Sequence, residues 1–256
     1  MSAGLPYLRL GQGPPLVMAV GGAAEHANPA GFMRWMALST AAPFAAHVTV
    51  YVTSRKPGLA PGCTMAGIAA DFAKAIEEDL GGSVAFHGTS AGGAVGLQLA
   101  ISYPHLVRRL VLAVAACRLS PAGRQLLAEV ARQVTAGHPR RASALVATAL
   151  APRQLRYPAA MLASLANPLA VGNPADMLIT NAAAVAFDAE PELHRVRAPT
   201  LVIGGSTDSY YSQDLFRRTA AGIPGGRAVI FPGKGHLYAA ASKAAANIAL
   251  GFLLAE

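Results

Sequence analysis

The chain has 256 residues, of which 53% are hydrophobic, 13% charged and 6% aromatic, and it carries a formal net charge of +8. High apolar content with few charges excludes intrinsic disorder. Two cysteines in a chain this long exclude a disulfide-stapled secreted scaffold, so Cys63 and Cys117 are expected as buried thiols. The length allows one large domain or two small ones, α/β folds often reaching it as a single domain, and either way leaves enough chain for a sizeable core.

No apolar run is long enough to span a membrane: Leu110 to Ala116 follows Arg108 and Arg109, and the alanine-rich tail from Tyr238 is broken by Lys243 and Asn247. The start, MSAGLPYLRLGQGPP, carries neither a basic leader nor a small-residue cleavage site, so a cytoplasmic location is expected. The cations fall mostly as scattered pairs such as Arg217-Arg218 without interleaved aromatics, which argues against nucleic-acid binding. One stretch stands apart. From Arg118 to Arg156 there are seven arginines against the single acid Glu129, a local net of +6.

In chain order, Leu16 to Val20 reads as a buried strand between Gly-Gln-Gly-Pro-Pro and Gly21-Gly22, and the alternating Val48 to Thr53 as another. Thr64 to Leu80 has Ile68, Phe72 and Ile76 at helical spacing and stops at Gly81-Gly82. Strand Val84 to His87, a glycine-rich turn, helix Ala94 to Tyr103 and strand Leu110 to Ala115 follow. From Leu119 to about Ala189 the pattern is helical without clear strands, as an insertion would be. Strand signals return at Thr200 to Ile203 and Ala228 to Phe231, and a helix from Tyr238 to Leu254 closes the chain. Alternating strands and helices predict a mostly parallel, doubly wound sheet, whose ligands sit beyond the carboxyl ends of the strands.

The residues found there are chemically suggestive. Strand Val84 to His87 runs into Gly88-Thr89-Ser90-Ala91-Gly92-Gly93, where a serine on a sharp strand-to-helix turn has small neighbours. A serine hydroxyl needs a base to take its proton and a third group to hold that base. Strand ends supply both: Asp208 in Gly204-Gly205-Ser206-Thr207-Asp208 and His236 in Pro232-Gly233-Lys234-Gly235-His236. Asp188, Asp176 and Glu190 are rivals for the acid, all in or beside the insertion. No HExxH pattern, clustered His/Asp/Glu set or phosphate loop occurs, so no metal or other cofactor is expected.

The elbow and the order Ser, Asp, His resemble the α/β-hydrolase superfamily over nearly the whole chain. The resemblance implies an eight-stranded sheet with a helical cap between the sixth and seventh strands. Residues 1–118 and 191–256 would form the core and 119–190 the cap. It implies Ser90 as nucleophile, Asp208 as orienting acid and His236 as general base and acid. It also implies an oxyanion hole from the Ala91 N–H and one amide of the loop after the first strand, Gly22 being favoured over Ala23. Where many relatives carry His-Gly, this loop reads Val20-Gly21-Gly22-Ala23. Ala23, His26, Met161, Leu165 and Tyr210 are candidates to meet substrate. The expected activity is hydrolysis of a carboxylic ester or lactone through an acyl-enzyme on Ser90. The alternatives are a thioesterase, drawn to a coenzyme A or acidic acyl-carrier partner by the cap's arginines, and a weakly catalytic small-molecule binding protein.

Overall fold

Short β-branched and apolar runs become strands here because the central ones are covered on both faces by helices that take up alternate side chains. The computed structural model describes residues 1–22, 26–166 and 174–255. One sheet contains β1 (Tyr7–Leu10), β2 (Pro15–Ala19), β3 (Thr49–Thr53), β4 (Val84–Thr89), β5 (Val107–Ala113), β6 (Thr200–Gly205) and β7 (Arg227–Phe231). The helices are α1 (Gly31–Ala45), α2 (Met65–Leu80), α3 (Ala91–Ser102), α4 (Pro121–Thr135), α5 (Pro139–Leu150), α6 (Arg156–Ala166), α7 (Ala175–Ala186), α8 (Gln213–Gly222), α9 (His236–Ala241) and α10 (Lys243–Leu254).

The strand order is β1-β3-β2-β4-β5-β6-β7, with β1 antiparallel to β3 and every other pairing parallel. Period-2 alternation divides β2 between two cores: Leu16 and Met18 pack with Phe44, Ala249 and Leu253 of α1 and α10, while Val17 and Ala19 join Ile68, Phe72 and Val95 of α2 and α3. From β2 the chain moves outward to β3, then crosses back to β4 on the other side. That reversal opens the crevice between the carboxyl ends of β2 and β4 where such folds bind ligands.

Four sequence expectations are corrected. Among the described residues the sheet has seven strands, not eight; ahead of β1 the chain makes a turn, with Gly4 at φ 76° and its N–H bonding the Met1 carbonyl at 3.0 Å. The helical insertion therefore falls between β5 and β6. The closing helix is two helices, since Ser242 leaves helical geometry (φ −71°, ψ 149°) and its hydroxyl caps α10 by accepting from the Ala245 N–H. Cys117 is buried, but Cys63 is half-exposed at the entrance to α2.

Two elements had no sequence signal. The edge strand β1 has only Leu8 buried, and α1 buries only Ala41 and Phe44 while Phe32, Met33 and Trp35 lie exposed, so neither shows a clean stripe.

The insertion is pinned at both ends. Ser120 caps α4 by accepting from the Gly123 N–H at 3.0 Å, and its hydroxyl donates to the Tyr210 carbonyl at 2.9 Å. On α7, Asp176 accepts from the N–H groups of Gly58 (2.9 Å) and Leu59 (2.8 Å). Among the described residues no helix is long and apolar enough to cross a membrane.

Candidate active site

Ser90 lies between β4 and α3 at φ 53°, ψ −118°, a strained conformation for a residue with a side chain. Its surroundings enforce it. The Ser90 N–H donates to the Ala113 carbonyl of β5 at 2.9 Å, so the turn is held from the neighbouring strand. The turn is also too tight for bulk: a Cβ at Gly88 would lie 2.4 Å from the Gly92 carbonyl oxygen, and one at Gly92 2.3 Å from that of Ala19. Ala91 starts α3, so its N–H has no acceptor within the helix and is available at the crevice.

Asp208 follows β6, and its two carboxylate oxygens have separate tasks. Oδ1 accepts from the backbone N–H groups of Tyr210 at 2.8 Å and Tyr211 at 3.2 Å, while Oδ2 stands 2.7 Å from Nδ1 of His236. Both side chains are buried. His236 opens α9 just past β7, and its loop is tied to that of Asp208 by Thr207 N–H bonding the Lys234 carbonyl at 3.0 Å. The Tyr210 and Tyr211 rings flank the imidazole at 5.0 and 6.5 Å between centroids, Tyr211 nearly parallel to it. Burial and the Asp208 charge push both phenols up, so they remain neutral.

Ser90, Ala91, Gly21, Gly22 and His236 line one cavity of about 240 Å³. Its far wall is apolar and comes from the insertion: Leu119, Leu127, Val130, Val146, Leu150 and Met177, with Asn181 as a polar exception. Tyr210, a sequence candidate, lines it, and so does Tyr211.

Other candidates lie elsewhere. Met161 and Leu165 are 56% and 75% exposed on α6, a helix with no buried residue, so they face solvent instead of the cavity. His26 is buried away from the cavity lining, with Nδ1 3.2 Å from the Lys56 carbonyl and Nε2 accepting from Arg55 Nε at 3.1 Å. Burial and the Arg55 charge lower its pKa to about 4. Ala23 lies outside the described residues. The lining side chains of α4, α5 and α7 were not singled out in sequence because a helix pattern shows which residues are apolar, not which neighbour each apolar face meets.

The seven arginines from Arg118 to Arg156 are not alike. Arg118 pairs with Asp188 and Glu190, and Arg132 with Glu129. Arg140, Arg141, Arg153 and Arg156 have no carboxylate at ion-pair distance among the described residues. No group of three or more His, Cys, Asp or Glu suited to holding a metal occurs among them either.

Comparison with known proteins agrees with this architecture. The family model described as serine aminopeptidase, S33, matches residues 65–239. A hydrolase from Pseudomonas aeruginosa is 25% identical with a TM-score of 0.81, over 98% of this chain and 94% of that one. A thermophilic esterase from Thermogutta terrifontis is 21% identical (TM-score 0.76, 97% and 92% covered), and an enol-lactonase from Burkholderia xenovorans 19% identical (TM-score 0.78, 98% and 96% covered). The chain therefore belongs to the serine aminopeptidase, S33 family and, with it, to the α/β-hydrolase superfamily of enzymes.

Proposed function

We propose that this hydrolase cleaves a small carboxylic ester or lactone through an acyl-enzyme on Ser90, acting from a core of residues 1–118 and 191–256 beneath a cap of residues 119–190. The observation that carries the reading is the 2.7 Å contact between Asp208 Oδ2 and His236 Nδ1, with His236 lining the same cavity as the strained Ser90. In this mechanism Ser90 Oγ attacks the carbonyl carbon while His236 Nε2 takes its proton, and Asp208 holds the proton on Nδ1. The tetrahedral oxyanion is received by the N–H groups of Ala91 and Gly22. His236 then protonates the leaving alcohol, and water repeats the sequence to release the acid. The volume, below the roughly 300–1,000 Å³ of drug-sized pockets, favours a short acyl group. A peptide's free α-ammonium would meet no carboxylate among the described lining residues, which favours esters over aminopeptidase substrates.

Arg140, Arg141, Arg153 and Arg156, with no carboxylate at ion-pair distance among the described residues, support a second reading, a thioesterase recruiting an anionic coenzyme A or acyl carrier. One experiment tests both. Fluorophosphonate labelling with peptide mapping should modify Ser90, while turnover is compared on nitrophenyl esters and acyl-coenzyme A. Turnover without Ser90 labelling would overturn the mechanism. Preference for thioesters, with KM raised by reversing Arg140 and Arg141 most steeply at low salt, would select the second substrate class.

A further inference from the structure

Beyond β3 the chain reads Ser54-Arg55-Lys56, and Arg55 places its side chain beneath the loop that leaves β2. It is 1% exposed, an extreme for a cation, and no carboxylate among the described residues lies at ion-pair distance from it. Its bonds go to the loop instead. Nη1 donates to the Val20 carbonyl at 3.2 Å, Nη2 to the Gly21 carbonyl at 2.9 Å and Nε to His26 Nε2 at 3.1 Å. Burial pulls the guanidinium pKa down to about 10, a sign of how unfavourable the site is for charge.

The Asp176 charge and the acceptor nitrogen of His26 together make the cation tolerable. Because His26 Nε2 accepts from Arg55, its own proton must sit on Nδ1, which faces the Lys56 carbonyl at 3.2 Å. Its lowered pKa keeps it neutral and an acceptor. The ring also meets Thr180 Oγ1 of α7 at 3.4 Å, so the assembly is anchored in the helical insertion too.

The consequence follows from peptide geometry. The Gly21 carbonyl and the Gly22 N–H belong to one planar trans unit and point in opposite directions. A guanidinium holding that carbonyl therefore aims the N–H away from itself, and Gly22 lines the cavity with Ser90. Two adjacent glycines cannot hold such an orientation unaided, since neither has a side chain to restrict its backbone. We propose that Arg55 is a positioning residue that locks the Gly21-Gly22 peptide so that the Gly22 N–H serves as the second oxyanion donor. This rests on the serine acyl-transfer reading above.

The test compares wild type, Arg55→Lys and Arg55→Met on a nitrophenyl ester, together with the rate of Ser90 phosphonylation and the melting temperature of each. Displacing an oxyanion donor by about 1 Å should lower kcat and the phosphonylation rate of Arg55→Met about 100-fold, with KM within about threefold of wild type. Arg55→Lys keeps the charge but cannot span both carbonyls as a fork, so it should lose about tenfold in kcat. If Arg55→Met does not fold, the lysine variant decides. A folded Arg55→Lys with wild-type kcat and phosphonylation rate overturns the proposal. So does a loss confined to KM. Failure of the parent reading has a different signature, a wild-type protein that turns over ester without labelling at Ser90.

Discussion

Asp208→Asn tests the proposed triad at its most constrained atom. Oδ1 of Asp208 is clamped by the Tyr210 and Tyr211 N–H groups at 2.8 and 3.2 Å, while Oδ2 faces His236 Nδ1 at 2.7 Å. The asparagine must therefore give its oxygen to the backbone donors, because turning its NH2 toward them would leave buried groups unsatisfied at about 1–3 kcal/mol each. Its NH2 then faces Nδ1, which is forced to accept, and the ring proton moves to Nε2. In that tautomer His236 cannot take the Ser90 proton. The equivalent change in a serine protease triad lowers kcat about 10⁴-fold, or about 5.4 kcal/mol of transition-state stabilisation, and the same order is expected here. Because the side chains are isosteric and the backbone clamp survives, stability should change by less than about 1 kcal/mol. Initial rates on a nitrophenyl ester and urea unfolding measure the two quantities. A folded variant with kcat within tenfold of wild type would refute the assignment of Asp208.

Three further outcomes are expected. Ser90→Gly should be inactive yet more stable by about 1 kcal/mol, since glycine relieves the strain at φ 53° at a smaller entropic cost; equal or lower stability in urea would count against strain at the elbow. Gly88→Ala should be destabilised by about 1–3 kcal/mol, because its Cβ would lie 2.4 Å from the Gly92 carbonyl oxygen inside the packed turn, and wild-type stability would show that the turn can relax. The pKa values of buried His26 and His87 are lowered to about 4, so each contributes stability that is present above pH 6.5 and is lost as the pH falls toward 4. The loss should be about 1.4 kcal/mol per pH unit for each imidazole, and His87→Leu should remove one increment from the slope measured by urea melts between pH 7 and 4.5.

The alternation of strands and helices and the strand-end positions of Ser90, Asp208 and His236 were legible in the residues alone. Both are local: periodicity of two or 3.6 and glycine at a tight turn are written in neighbouring residues. Whatever depends on which distant surfaces meet emerged only from the packed fold. It set which helix faces of the insertion wall the cavity, Leu127 and Val146 lining it while Met161 and Leu165 point outward. It also turned His26 from a substrate candidate into an acceptor for Arg55, a residue with nothing in its local pattern to mark it. Arg55 became visible only when β3 and the loop after β2 were side by side, because a buried cation is recognised by the carbonyls around it and those carbonyls are some 35 positions away in the chain.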